Sequence, residues 1–271
     1  MPAAPHALVE REGAILVVTM NRPEARNAVN PEMLCRLADA WEDVNNDPNI
    51  RVAILTGAGE QAFCAGADLD KLVRMMQGMI PPENEYDERI KNDVGIIYKG
   101  FMRSLDVFKP IVAAVKGFCV AGGLEILNCC DIRVAAEDAQ FGLAEVKWSL
   151  FPMGGSTVRI PRQIPWPIAM ELMLTGERIS AQEAHRVCLI NKVVPAAQVM
   201  TEARRYAEIL AANGPLAVQA VKRSALAGLG VPTAKALEQE LEIGIPVSMS
   251  EDAREGPKAF KEKRQPNFKG R

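Results

Sequence analysis

Three short, almost wholly apolar runs lie at residues 52–55, 111–115 and 132–135, each beside Gly, Pro or Asp. A strand with one wet face alternates polar and apolar residues; runs without that alternation read as strands buried on both faces. Between them the spacing changes. Met33, Leu34, Leu37, Ala38, Trp41 and Val44 recur at three and four, which stacks them along one side of a helix over about 31–45, and Pro31 suits its first turn. Residues 71–106 also read as mainly helical, broken near Pro81-Pro82, and a β-branched run at 14–20 after Glu12-Gly13 reads as the second half of a hairpin. Strands alternating with helices make this an α/β chain.

After Pro195 the strands stop. Helical patterns follow over about 196–212, 215–226, 233–243 and 252–263, and a Ser180-Ala181-Gln182-Glu183 capping box starts a helix shortly before that change. A boundary near 195 is therefore expected, dividing an α/β core, residues 1–195, from a helical region, residues 196–271. The short helices of that region have more apolar surface than they can cover among themselves, which predicts oligomerisation through it. Periodicity alone is equally compatible with an ordinary doubly wound sheet.

A chain of 271 residues with 48% hydrophobic content can bury a sizeable core. Its formal net charge of −2 gives no reason to expect nucleic acid or an anionic membrane as a partner. No stretch nears the roughly 18 apolar residues of a membrane span. Residues 1–6 resemble neither a signal nor a transit peptide, so a soluble cytoplasmic protein is expected. Cys35, Cys64, Cys119, Cys129, Cys130 and Cys188 show no paired CxxC spacing and lie in apolar stretches, which reads as buried, reduced thiols. His6 and His185 lie in no ligand-like cluster and read as surface residues. That leaves little material for a Ser-His-Asp triad or a His-based metal site.

The chemistry-bearing residues cluster at glycines. Glu125 ends the run Ala121-Gly122-Gly123-Leu124-Glu125, and Glu145 ends Phe141-Gly142-Leu143-Ala144-Glu145, twenty positions on. Upstream lies Cys64-Ala65-Gly66-Ala67-Asp68. Two carboxyls can hold a water between them, one taking its proton while the other supplies one elsewhere. Backbone N–H groups freed at glycine turns can stabilise an oxygen that becomes negative. Each glutamate alone has a plainer meaning: Glu125 as a first-turn complement to a helix dipole, Glu145 as a solvated charge. Their joint occurrence with the glycine runs favours a site. Residues 117–123 look superficially like a phosphate loop, but no Lys-Ser/Thr pair follows the glycines. Leu69, Leu72, Met75, Met76 and Met79 form a stripe at helical spacing that reads first as core packing. Residues 254–271 hold seven basic and two acidic side chains and read as a solvated basic tail.

Ala67, Gly122, Glu125 and Glu145 stand in an order and spacing similar to the crotonase, or enoyl-CoA hydratase/isomerase, superfamily. The resemblance extends from Asn21-Arg22-Pro23-Glu24-Ala25-Arg26-Asn27-Ala28 through Phe63-Cys64-Ala65-Gly66-Ala67-Asp68-Leu69 and Lys109-Pro110-Ile111. It resumes at Leu174-Thr175-Gly176-Glu177-Arg178 and ends at Phe260-Lys261-Glu262-Lys263-Arg264. It implies a core of stacked β-β-α turns in a superhelix, with a C-terminal helical region that holds trimers, often paired into hexamers. It also implies an acyl-CoA thioester substrate and no metal or redox cofactor. By resemblance, the N–H groups of Ala67 and Gly122 form the anion hole, aided by the dipole of a helix starting near Gly123. Glu125 is then the base toward water and Glu145 the acid toward the α-carbon. Arg26, Ala28, Ala65, Asp68 and Leu69 would border the coenzyme or acyl chain, and Lys263 would reach coenzyme A on a neighbouring subunit.

The expected reaction is hydration of a trans-2-enoyl-CoA to a 3-hydroxyacyl-CoA. The rivals are double-bond isomerisation and a non-catalytic acyl-CoA- or RNA-binding member. Retention of Glu125 favours hydration, and no basic-aromatic stripe suggests RNA. Ala144 stands where many relatives have Pro, and Met153 where a smaller residue is common; both concern substrate shape more than reaction class.

Overall fold

The computed structural model describes residues 4–271. The first three positions of the leader reading above lie outside the described residues. Strands β1 (Ala7–Glu12) and β2 (Ile15–Met20) form the expected hairpin, and helix α1 (Pro31–Asn46) follows. The Asn30 side chain caps α1 by accepting from the Met33 N–H at 3.0 Å. Then come β3 (Val52–Gly57) and β4 (Ala62–Cys64). One wide π turn, Leu69–Val73, runs into α2 (Arg74–Met76), and α3 (Glu85–Asn92) and α4 (Gly95–Gly100) complete the segment expected to be helical.

The β-β-α unit then repeats. Strands β5 (Ile111–Val115) and β6 (Phe118–Val120) lead into α5 (Gly122–Leu127), and β7 (Ile132–Ala136) and β8 (Gln140–Gly142) lead through a 3-10 turn to α6 (Ser156–Gln163). Next are α7 (Trp166–Thr175), β9 (Arg178–Ser180), α8 (Ala181–Arg186) and β10 (Lys192–Val194). The Ser180 hydroxyl caps α8 by accepting from the Glu183 N–H at 3.2 Å. After the β1-β2 hairpin, which lies wholly in the larger sheet, each pair of strands sends one to each of two sheets. The larger has the order β1-β2-β3-β5-β7-β10 and is parallel apart from the hairpin; the smaller is β4-β6-β8-β9, parallel except at its last pair.

The continuous apolar runs have the expected cause. On β3, Ala53 and Leu55 face the main core, while Val52 and Ile54 face a second cluster under α9 (Val199–Ala212). Ala203 and Ala207 of α9 are small enough to let the helix lie close to the sheet. Arg133 breaks the apolar pattern of β7, yet it is buried. Its guanidinium donates to the carbonyls of Cys130 and Leu189 and to Gln163 Oε1.

Beyond α9, the helices α10 (Pro215–Gly228) and α11 (Thr233–Ser248) pair with each other and have no buried residue in this chain. Val221, Leu237, Leu241 and Ile245 are exposed there, beside an apolar groove of about 900 Å³ between these helices and α12 (Glu251–Lys261). The basic terminus is not a free solvated tail. Buried Asp252 accepts from the Lys269 and Gly270 N–H groups at 2.7 and 2.8 Å, Arg264 pairs with Glu255 and Glu262, and Arg51 donates to the Phe268 carbonyl. Residues after α12 therefore fold back, spending part of the positive charge within the chain.

Three other expectations also change. Leu72 is buried, but Leu69, Met76 and Met79 are exposed, because the π turn and the break at 77–84 prevent one continuous helical stripe. Cys35, Cys64, Cys119 and Cys130 are buried and Cys129 is half-buried, whereas Cys188 is exposed on a left-handed turn after α8. His185 is exposed as expected; His6 is half-buried, with Nδ1 3.0 Å from Glu32 and within reach of Asn30.

Candidate active site

The parallel strands of the small sheet stand side by side, pairing Cys64 with Cys119, Cys119 with Phe141 and Val120 with Gly142. Their carboxyl ends consequently deliver three loops to one edge, where open parallel sheets offer ligand sites. The β4 loop brings Ala67, the β6 loop brings Gly122, and the β8 loop brings Glu145.

Ala67 bridges to Val29, with the Val29 N–H donating to the Gly66 carbonyl at 2.7 Å and the Asp68 N–H to the Val29 carbonyl at 2.9 Å. Successive peptides alternate sides along an extended segment, so the Ala67 N–H points away from Val29. Gly66 has φ +98°, and a Cβ there would lie 2.7 Å from the Ala121 Cβ and 3.2 Å from the Gly122 N. Glycine is what lets these two loops meet.

At Ala121 the chain takes φ 50°, ψ −128°, a strained conformation for a residue with a Cβ. Its N–H donates to the Gly142 carbonyl at 2.9 Å, and its carbonyl accepts the N–H groups of Leu124 and Glu125, which starts α5 abruptly. The Gly122 N–H, in the first turn, has no acceptor within the helix. With only six residues, α5 offers its first-turn N–H groups here and adds a short helix's dipole to them.

Glu125 projects from that turn and is only 5% exposed. Burial pushes its carboxyl above the usual range. The backbone N–H groups of Gly154, Gly155 and Ser156 oppose the rise, with Ser156 N donating to Oε1 at 3.2 Å. Glu145 opens the 3-10 turn Glu145–Trp148 and is pushed up to about 7, first by burial and then by the negative charge of Glu125. Its Oε2 is buried with no hydrogen-bond partner among the described residues. Neither carboxyl has a cationic partner among the described residues. Two coupled, unpaired carboxyls beside free N–H groups can take and give protons while an oxyanion is held.

Four of the five other N-terminal-half residues named from the sequence come together. The Ala65 N–H donates to the Arg26 carbonyl at 3.0 Å, Ala28 lies two residues on, and Asp68 is tied to Val29. The Asp68 carboxylate is occupied locally: Oδ1 caps the Asp70 and Lys71 N–H groups and Oδ2 lies 2.8 Å from Arg22 Nη1. Leu69 is exposed beside it. Lys263 sits on the exposed left-handed turn after α12, and no contact within this chain joins it to that group among the described residues. Sequence reasoning missed Arg22, which donates to both Asp68 and the Ala28 carbonyl, and the 154–156 cradle around Glu125. The Gly154-Gly155-Ser156 run was the available signal, since consecutive glycines before a helix expose backbone N–H groups.

Residues 10–271 match the family described as enoyl-CoA hydratase/isomerase. The chain is 49% identical over 269 residues to "Enoyl-CoA hydratase EchA19" of Mycobacterium tuberculosis, covering 99% of this chain and 98% of that protein. It is 41% identical to the "(E)-benzylidenesuccinyl-CoA hydratase" of Thauera aromatica, with 97% and 98% covered. The crystal structure of enoyl-CoA hydratase EchA1 from Mycobacterium marinum superposes with a TM-score of 0.88 at 40% identity, covering 99% of this chain and all of that one.

Proposed function

This chain belongs to the enoyl-CoA hydratase/isomerase family, and we propose that its site hydrates a trans-2-enoyl-CoA through Glu125 and Glu145. The activity is that of an enoyl-CoA hydratase, a lyase acting on acyl-CoA thioesters. The thioester oxygen rests between the N–H groups of Ala67 and Gly122. Water attacks the β-carbon and gives a proton to Glu125, while the alkene electron pair moves toward the thioester oxygen as an enolate. Collapse of the enolate takes the Glu145 proton onto the α-carbon. Water is consumed and nothing is oxidised, so the reading calls for no redox cofactor, and because the two N–H groups hold the thioester oxygen it includes no metal.

The observation that carries the two-carboxyl reading is the contrast between their surroundings. Glu125 faces three backbone N–H groups that favour its ionised form, whereas Glu145 has a bare buried oxygen and the Glu125 charge nearby, which favour its protonated form. Burial raises both carboxyls, but only Glu125 has N–H groups that resist the rise, which supports Glu125 as the base and Glu145 as the acid. The exposed side chains of Leu69 and Met153, next to the two loops, suit an acyl chain.

The proposal extends to assembly and location. The unpartnered faces of α10 and α11 support a trimer, or a dimer of trimers, with Lys263 meeting coenzyme A across the interface. The absence of paired cysteine spacing supports a cytoplasmic location. Among the described residues no helix is long and apolar enough to cross a membrane. Incubation with crotonyl-CoA and longer or bulkier enoyl-CoAs, followed by loss of the conjugated absorbance, tests the reaction. Turnover of at least one member is expected; binding without turnover across the whole series would overturn it.

A further inference from the structure

Arg159, on the first turns of α6, is half-buried and has no carboxylate partner among the described residues. Its guanidinium instead divides between two carbonyls. Nη1 donates to Gly154 at 3.0 Å and Nη2 to Met102 at 2.8 Å. Such a charge-assisted fork fixes the direction of both peptide groups, which one ammonium cannot do as well.

The two peptides belong to opposite walls of the site. In a planar trans peptide the C=O and the following N–H point in opposite directions. With the Gly154 carbonyl turned to Arg159, the Gly155 N–H is turned the other way, toward Glu125, where it joins the Ser156 N–H. Gly155 has φ +116°, and a Cβ there would run into Arg159 Nη1, so this approach of the guanidinium depends on glycine. On the other wall, Met102 is buried in a left-handed conformation, φ 50°. The preceding Phe101 places its ring 2.9 Å from where a Gly122 Cβ would stand. The Cys129 thiol ties the Phe101-Met102 segment to α5, lying 3.5 Å from both the Phe101 and Glu125 backbone carbonyls.

Resting on the hydratase reading, we propose that Arg159 is a positioning residue: it holds the 154–155 peptide so that its N–H faces the Glu125 carboxyl, and braces that loop against the Phe101-Met102 wall behind Gly122. Nothing joins the guanidinium to the Glu125 carboxyl directly; the link is the Gly154 carbonyl. The groups facing Glu125 from the elements around it are Glu145 from the 3-10 turn, Cys129 from the turn that follows α5, and Ser156 and the Arg159-held peptide from α6 and its entry. Freed from Arg159, the peptide can rotate and withdraw an N–H that stabilises ionised Glu125. The Glu125 carboxyl should then hold its proton to higher pH.

The test compares Arg159→Met, Arg159→Lys and Arg159→Ala with the wild type, each checked for folding by circular dichroism. Arg159→Met should lower kcat about 10- to 100-fold, with KM within about threefold. The acidic limb of kcat/KM should move to higher pH. Arg159→Lys, which can hold one carbonyl but not both, should fall between, and added guanidinium at sub-denaturing concentration should recover part of the Arg159→Ala loss. The Glu125 carboxyl is followed separately by carbon-13 NMR, assigned by its disappearance in Glu125→Gln, and should titrate at higher pH in Arg159→Met. That measurement needs no turnover. If the wild type hydrates nothing, the hydratase reading fails while the titration still judges Arg159. A folded Arg159→Met or Arg159→Lys protein whose acidic limb and Glu125 titration stay at wild-type positions would reduce Arg159 to a packing residue and overturn the proposal.

Discussion

Glu145 trades stability for chemistry. Its folded carboxyl titrates near 7 against an ordinary value of 4.5, so the native state binds this proton more tightly than the unfolded chain does. Stability from this group is therefore full below the ordinary value and declines as pH rises through 7. Glu145→Gln removes the ionised form, and thermal unfolding should show it stabilised at pH 8, by on the order of 2 kcal/mol, with little gain at pH 4. Turnover should move the other way: Glu145→Gln and Glu125→Gln should each lower kcat by about 10² to 10⁴, with a double mutant losing far less than the product. In the wild type, kcat/KM should fall as pH rises past about 7, as the pair loses the acid's proton. A rate that stays level from pH 6 to 9 would contradict these roles.

At the scale of elements, the site depends on three short parallel strands and the loops between which Gly66 is pressed. Gly66→Ala places a methyl against the Ala121 Cβ and forces φ +98° on a residue that resists it. The loops must part, carrying the Ala67 N–H away from Gly122. Activity should drop at least tenfold, while the fold loses only about 1–3 kcal/mol, because the apolar strands lie elsewhere. Equal activity in a folded Gly66→Ala protein would show that the thioester oxygen does not sit between these loops. Most of these elements were legible: α1, the hairpin and the doubly buried strands follow from spacing, and Ser180 announces α8. The 69–79 segment was not, because a π turn shifts the helical phase, and a turn with extra residues leaves no periodic signal.

For the whole molecule, the α10–α11 pair presents Leu237, Leu241 and Ile245 to solvent along one helix at spacings of four, a face that a lone chain leaves uncovered. Light scattering at micromolar concentration should give the mass of a trimer or hexamer. Leu241→Asp should shift it toward monomer and, if Lys263 serves a neighbouring site, raise KM for the CoA thioester. A wild-type monomer would contradict the assembly.

The sequence by itself determined the α/β alternation and the late turn to helices, since these depend on local spacing, and its ordered set of short motifs named the four positions of the candidate site through their resemblance to a family. Tertiary structure alone decided what each group feels. Whether Glu145 is a solvated charge or a buried acid depends on which strands stand beside β8 and how near Glu125 is brought by the fold, and neither can be read from the residues next to it. The Asp68 carboxylate is a cap and the partner of Arg22, which the sequence did not show, and the basic terminus looked free and is docked on Asp252. Arg159 gave no signal because its partners are backbone carbonyls, and every residue type offers the same carbonyl until the fold brings a particular one within reach.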